Sequence, residues 1–393
     1  MNDYGSVSSG RGMRAVLAGF ARSPFHRAHK GSLAGVRPED IASQVAVEVM
    51  ARTGVAPQSI EDLLLGCAYP EGEQGLNLGR ILTYMSGLPS SVPGMTTNRL
   101  CGSSMQVIHN AAGSIMMDSG DAFLCGGVES MSRILRGGFN RSPHPELEMS
   151  LPEAYISMGI TAENLAKSHS VDRVRQEEYS LNSHQKASHA QESGALDDEL
   201  ISITTPDGEV SVDGCIRGAT TLEAMAGLKP AFDPSGSVTA ATSSPLTDGA
   251  AFLLVCSEDF AEANGVTPLA SIVSTAVAGV APEIMGIGPV PATHKALSRA
   301  GLSLDDIDII ELNEAFSAQS IAVLADLGLD DDDSRVNIDG GALAIGHPLG
   351  ASGARITGKA ASLLRRQGGR FGLATMCIGG GMGIATVLEA WEG

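Results

Sequence analysis

A chain of 393 residues holds two or more domains' worth of fold, and a hydrophobic content of 43% suffices for a sizeable core and sets disorder aside. The formal net charge of −19 argues against nucleic acid or an anionic membrane as a partner, so an anionic ligand has to be met by a local basic patch. The six cysteines (67, 101, 125, 215, 256 and 377) show no Cys-x-x-Cys spacing; they form neither a zinc site nor a secreted disulfide framework and read as reduced thiols.

Residues 1–13 read as a short flexible leader without a signal pattern. No apolar run reaches the length of a membrane span, and Trp391-Glu392-Gly393 carries no peroxisomal address, so a cytoplasmic location is expected. A strand over 14–21 is followed by a turn at Ser23-Pro24-Phe25. A helix over 38–53, opened by Pro38-Glu39-Asp40 and ended near Gly54, leads to a short apolar strand over 60–66. A loop over 70–75 and a helix from about 77 to 85 come next.

Beyond Cys101, the residues Met105, Ile108, Ala112 and Ile115 recur at helical spacing, with mostly small or apolar residues between them. That is the pattern of a helix buried nearly all round. Cys101 stands at its N-terminus, where free amide N–H groups and the positive dipole end favour a thiolate. On this stretch alone, a reactive thiol and a packed core cysteine are equally good readings.

Residues 121–127 form a buried strand running into glycines. From about 132 to 248 the chain turns charged and irregular, with a polar helix around 172–193 and a Gly/Pro/Asp-rich stretch over 205–236. The strand pattern resumes at 249–256 and continues to the end. Alternating strands and helices indicate an α/β protein with buried sheets. The expected organisation is a first half over 14–131 plus 249–266, an inserted loop domain over 132–248, and a second half over 267–393.

A faint internal repeat accompanies this division. Gly54-Val55 and Ile60-Glu61-Asp62-Leu63-Leu64 match Gly301-Leu302 and the stretch from Ile307 through Ile310. Asn98-Arg99-Leu100-Cys101-Gly102 parallels Asn337-Ile338-Asp339-Gly340-Gly341, and Cys125-Gly126-Gly127 parallels Cys377-Ile378-Gly379. Three matches in one order imply a duplicated α/β unit with a site between the copies. Four polar stretches fall where strands hand over to helices or turns, the places where α/β proteins hold ligands: 98–105, 313–316, 346–350 and 377–381. A nucleophilic cysteine, a histidine to take its proton and a second cysteine make a kit for covalent acyl transfer.

Together these residues resemble the thiolase family. The resemblance rests on Asn98-Arg99-Leu100-Cys101-Gly102-Ser103, Gly126-Gly127-Val128-Glu129-Ser130-Met131-Ser132, Asn313-Glu314-Ala315-Phe316, the run 340–355 with Gly346-His347-Pro348, and Cys377-Ile378-Gly379-Gly380-Gly381. It implies an α/β thiolase fold: two similar βαβαβαββ halves in five α-β-α-β-α layers, with a loop domain inserted in the first. It also implies a ping-pong reaction through an acyl-cysteine. By resemblance Cys101 is the acylated nucleophile, His347 its base, and Cys377 the acid/base that protonates the departing acetyl-CoA carbanion. One oxyanion hole uses the histidine with a water on Asn313; the other uses the backbone N–H groups of Cys101 and Gly379. Coenzyme A, a co-substrate with no permanently bound cofactor or metal beside it, is expected to pass Met158, Ala240, Ser244 and Leu246, with Arg217 near its adenine and phosphates. Ala241 stands where the family usually has glycine.

Within the family, Ser157 replaces the histidine of short-chain biosynthetic members, and Thr242-Ser243-Ser244 replaces their Asn-Ala-Ser. The stretches 243–250, 284–291 and 371–377 resemble the degradative bacterial 3-ketoacyl-CoA thiolases of β-oxidation. The expected reaction is thiolysis of 3-oxoacyl-CoA to acetyl-CoA and an acyl-CoA shortened by two carbons. The alternatives are an acetoacetyl-CoA thiolase working in the condensing direction and a non-catalytic acyl-CoA-binding protein on the same body. The resemblance further implies a homodimer or dimer of dimers, and degradative members can also pair with a multifunctional hydratase/dehydrogenase subunit.

Overall fold

The computed structural model describes residues 14–391. The expected leader, 1–13, lies outside the described residues. The first half opens with β1 (Ala15–Arg22) and the short β2 (His26–Arg27). Helix α1 (Pro38–Thr53) has proline in its first turn, Glu39 and Asp40 at its positive end, and Gly54 beyond its last residue at φ 66°. There follow β3 (Asp62–Gly66), α2 (Leu78–Met85), β4 (Gly94–Thr97), α3 (Ser103–Met116) and β5 (Ala122–Ser130). Strand β4 is absent from the sequence-based expectations because its Gly-Met-Thr-Thr carries no hydrophobic period.

The intervening stretch holds α4 (Pro145–Ser150), α5 (Met158–Ser168), α6 (Arg173–Glu192), the hairpin of β6 (Ile203–Thr205) and β7 (Gly208–Val210), and α7 (Leu222–Ala226). The polar helix expected around 172–193 is α6, capped by Asp172, whose carboxylate accepts the N–H of Arg175 at 2.8 Å. The first half closes with β8 (Thr247–Ser257) and α8 (Glu258–Asn264). The second half runs β9 (Ala270–Gly279), α9 (Pro289–Ala300), β10 (Ile309–Leu312), α10 (Ser317–Leu327), α11 (Ala342–Ile345), α12 (Leu349–Gln367), β11 (Phe371–Ile378) and β12 (Met382–Ala390).

Apart from the β6–β7 hairpin, the strands form one mixed sheet in the order β10-β11-β12-β9-β1-β8-β5-β3-β4, with β2 paired to β8. From the centre outward, β1-β8-β5-β3-β4 and β9-β12-β11-β10 repeat one order, and the parallel bridge Ile310–Val336 takes the place of β4 in the second half. The halves join antiparallel at a corner, through Val16–Ser271 and Leu17–Ala270. Each half also carries a bulge in its first strand, between Ala18 and Ala21 in β1 and opposite Val387–Leu388 in β9.

Three apolar cores account for the layering. One packs α1 and α2 on the outer face of the first half, and another packs α9 and α10 on the outer face of the second. Between them α3 and α12 share a core with strands of both halves. The N-terminal ends of these two central helices meet: Ser104 Oγ accepts the N–H of Ala354 at 2.8 Å, and a Cβ on Gly353 would lie 2.4 Å from Met105 N.

Register corrects two of the three repeat matches read from sequence. Asp62 pairs with Phe123 and its counterpart Ile309 with Gly372, so Cys125 corresponds to Ala374, and Cys377 corresponds to Val128. The same count along β8 and β12, where Val128 pairs with Ala250 and Cys377 with Gly383, gives the same answer. The helix that answers α3 is α12 and not the one-turn α11. Cys101 and His347, each two residues ahead of a central helix, are the true counterparts. The Cys-Gly pattern misleads because it repeats in composition, three residues out of structural register.

Candidate active site

Cys101 occupies a turn that follows a strained residue, Leu100 at φ 45°. Side chains fix this turn. Leu100 N–H donates to Asn98 Oδ1 (2.8 Å), Arg99 N–H to Ser103 Oγ (2.9 Å), and the Ser103 hydroxyl to the Leu100 carbonyl (2.6 Å). A Cβ on Gly102 would sit 2.5 Å from Ile378 Cδ1, so the backbone beside the sulfur presses against the end of β11. The residue as a whole is half-buried. Its charge state is the reverse of what the helix dipole alone favours. Burial pushes the Cys101 thiol up to about 11, outweighing the backbone N–H of Gly379 that points at it and the guanidinium of Arg136. At neutral pH the thiol is protonated and needs a base.

His347 is held for that task from three sides. Its backbone N–H donates to Thr247 Oγ1 (3.0 Å), its ring Nδ1 pairs with Ser352 Oγ (2.6 Å), and the Ser352 hydroxyl donates to the Pro348 carbonyl (3.1 Å). Because the serine hydrogen is committed to Pro348, the hydrogen-bond network assigns the ring proton to Nδ1 and leaves Nε2 basic. Nε2 faces Asn313 Nδ2 at 3.5 Å. Burial, with Arg355 adding to it, pulls the ring down to about 3, so His347 is neutral.

Asn313 is tied to β11 by its backbone N–H, which donates to the Thr375 carbonyl at 3.0 Å. Its buried Oδ1 has no protein partner among the described residues. Its neighbour Glu314 is scaffolding: the carboxylate accepts from Ser183 Oγ (2.7 Å), Asn337 Nδ2 (2.7 Å) and Leu343 N–H (3.2 Å). Cys377, 2% exposed near the end of β11, has its thiol pushed well above the usual range by burial and then by the proximity of Cys101. The two sulfurs therefore act on each other, with Gly379 beside the first.

Of the residues expected along coenzyme A, three converge here. Met158, at the start of α5, has its sulfur 3.3 Å from where a Cβ on Gly379 would be. Ser244 N–H donates to the Ala315 carbonyl (3.0 Å), and Leu246 bridges to His347, so this segment runs between the Asn313 loop and the histidine. Ala240 and Arg217 are exposed. The N–H of Arg217 donates to His184 Nδ1 (3.2 Å), and no contact among the described residues links its guanidinium to either sulfur.

Glu129 has no role in the sequence-based reading, although it is an acid near the end of a fully buried strand. Its carboxylate accepts from Ala68 N–H (2.8 Å), Gln74 Nε2 (2.7 Å), Tyr69 N–H (3.2 Å) and Gly350 N–H (2.9 Å). Glu129 thus ties the loop after β3 to the first turn of α12, beside His347. Burial raises its pKa against those donors. Among the described residues no group of three or more His, Cys, Asp or Glu could hold a metal ion, and no helix is long and apolar enough to cross a membrane.

Comparison with known proteins matches residues 15–259 to the thiolase N-terminal domain and residues 266–390 to the thiolase C-terminal domain. The chain is 46% identical over 384 residues to a 3-ketoacyl-CoA thiolase of Saccharophagus degradans, covering 95% of this chain and 97% of that protein. It is 43% identical over 388 residues to a 3-ketoacyl-CoA thiolase of Bacillus subtilis, with 95% and 99% covered. Human mitochondrial 3-ketoacyl-CoA thiolase, solved in complex with CoA, superposes with a TM-score of 0.88 at 38% identity over 96% of this chain and 98% of that one.

Proposed function

Because the chain belongs to the thiolase family, we propose that it cleaves 3-oxoacyl-CoA with coenzyme A, in the degradative manner, through an acyl-Cys101 intermediate. The observation that carries this reading is the proximity of Cys101 and Cys377, with the backbone N–H of Gly379 at the Cys101 sulfur, and a neutral His347, its Nε2 facing Asn313, just ahead of the central helix that meets the one following Cys101.

In the first half-reaction His347 Nε2 takes the Cys101 proton, and the thiolate attacks C3 of the substrate. The backbone N–H groups of Cys101 and Gly379 both act on that sulfur, so they meet the oxyanion on the carbon bonded to it. The C2–C3 bond breaks, leaving the shortened acyl group on Cys101 and a carbanion on acetyl-CoA. His347, now protonated on Nε2, and a water on Asn313 Oδ1 stabilise the enolate oxygen, and the Cys377 thiol protonates the carbon. In the second half-reaction Cys377 takes the proton of the incoming coenzyme A thiol. The new thiolate attacks the acyl-cysteine and expels the Cys101 thiolate, which recovers its proton from His347. Each step runs in both directions.

The stretch 132–248, with Met158, Ser244 and Leu246 at the site and Ala240 and Arg217 on its exposed side, serves as the coenzyme A-binding part. The expected location is cytoplasmic, and the family likeness supports an enzyme of two or four copies that can pair with a hydratase/dehydrogenase subunit; light scattering on the purified protein tests the assembly. The chemistry is tested by rapid-quench intact mass after mixing with a 3-oxoacyl-CoA. The wild type gains the acyl mass and Cys101→Ala gains none. Cys377→Ala acylates slowly but fails to protonate the carbanion; near-full turnover by that variant would remove Cys377 from its role.

A further inference from the structure

The loop after β3 passes between the ends of the two helices that carry the reacting groups. A Cβ on Gly66 would lie 2.3 Å from Ser104 N, at the start of α3. One residue on, Cys67 Cα lies 2.8 Å from where a Cβ on Gly350 would be, in the first turn of α12. Tyr69 follows two residues on, close enough to Cys101 for the two groups to act on each other. Its backbone is pinned from both sides: its N–H donates to Glu129 (3.2 Å), and its carbonyl accepts from Gln74 Nε2 (2.8 Å), itself bonded to Glu129.

A second loop closes over the first. Arg133 pairs with Glu73, Phe139 N–H donates to Glu71 Oε2 (2.6 Å), and Gly72 fits under the rings and methyls of Phe139 and Ile134. Between the loops the half-buried Tyr69 takes the N–H of Gly137 on its hydroxyl, with the Cys101 thiol and the Arg136 guanidinium both in electrostatic reach. Of the other groups that act on the Cys101 sulfur, Gly379 and Cys377 belong to the residues assigned to catalysis, and Glu129 and Arg136 are charged. Tyr69 approaches from the first half and has no assigned part in catalysis. On the same second loop the apolar side chains Leu135 and Phe139 are 58% and 49% exposed.

We propose that the Tyr69 ring, clamped between these two loops, is the wall that limits how long an acyl chain can extend from Cys101, and so sets the enzyme's chain-length range. The inference rests on the thiolase reading above. A rigid aromatic ring in the path of an acyl chain discriminates by steric fit, and each excluded methylene is worth about tenfold or more in kcat/KM.

The test compares kcat/KM for 3-oxohexadecanoyl-CoA with that for acetoacetyl-CoA. Tyr69→Ala is expected to raise this ratio at least tenfold, while Tyr69→Phe, which keeps the ring and loses only the Gly137 bond, leaves it within twofold. Tyr69→Leu serves the same purpose as Tyr69→Ala if the smaller residue unfolds the loop. A ratio unchanged in the alanine and leucine variants, or shifted as far by phenylalanine as by alanine, overturns the proposal. Mass analysis of wild-type Cys101 after acetoacetyl-CoA separates the two readings. If the wild type does not acylate, the functional reading itself falls; if it acylates while the ratio stays fixed, only the role of Tyr69 does.

Discussion

Cys101 and His347 rest as a neutral pair, thiol and imidazole, because burial raises one group and lowers the other. A standing ion pair would leave the thiolate open to oxidation and alkylation; here it forms only when His347 takes the proton. Replacing His347 with asparagine is therefore expected to lower kcat/KM by about 10²- to 10⁴-fold, read in a thiolysis assay, with little change in melting temperature. A loss under tenfold would mean that another base serves Cys101. The identities of Cys101, His347, Cys377 and Asn313 are legible from motifs, because reactive residues interrupt apolar patterns. Their protonation is not. It depends on desolvation by segments far apart in sequence, and a rule about helix ends points the wrong way for the thiol. Glu129 is visible as an anomaly, an acid in a buried strand, but its partners Ala68, Tyr69 and Gly350 lie on separate segments that only the fold brings together.

The central helices are set close by residues that lack side chains. A Cβ on Gly127, in β5, would stand 2.0 Å from the carbonyl oxygen of Gly350, which is backbone and cannot swing away. Gly127→Ala is expected to cost about 1–3 kcal/mol, visible as a lower denaturation midpoint, and to slow Cys101 acylation because the start of α12 must shift. On α3 the exposed Gly113 has nothing within 4 Å of the position an added methyl would take. Gly113→Ala should therefore stabilise the protein by about 0.5–1 kcal/mol without touching activity. Equal effects from the two substitutions, measured by urea unfolding, would contradict this packing account. The long elements α1, α3 and α6 can be read from the sequence nearly to their ends, since caps and residue spacing mark them. The four-residue β4 cannot, and neither can the equivalence of α12 with α3, which composition assigns to the wrong segment.

At the scale of the molecule, several histidines are held neutral. Burial lowers His347 and His109 to about 3 and His184 to about 4, whereas an unfolded histidine titrates near 6.5. Between those values the unfolded chain binds protons that the native one refuses, so stability falls as pH drops below about 6.5 and keeps falling toward 4. Urea midpoints should be lower at pH 5.5 than at pH 7.5. His109→Gln, which can still bond Thr386 Oγ1, the partner of the wild-type ring at 2.8 Å, should narrow that difference; an unchanged gap would exonerate His109.

The place of β8 in the sheet bears on synthesis as well as on stability. It lies between β1 and β5, yet it starts at Thr247, more than a hundred residues after β5 ends at Ser130. At usual elongation rates a ribosome needs on the order of 10 s to cover that stretch. Throughout that interval β1 and β5 have left the ribosome with the edges that β8 will cover still bare, and bare strand edges are templates for other chains. A nascent chain stalled before β8 is therefore the form of this protein most in need of a chaperone, and the first half can close only once the segment between its strands has been made.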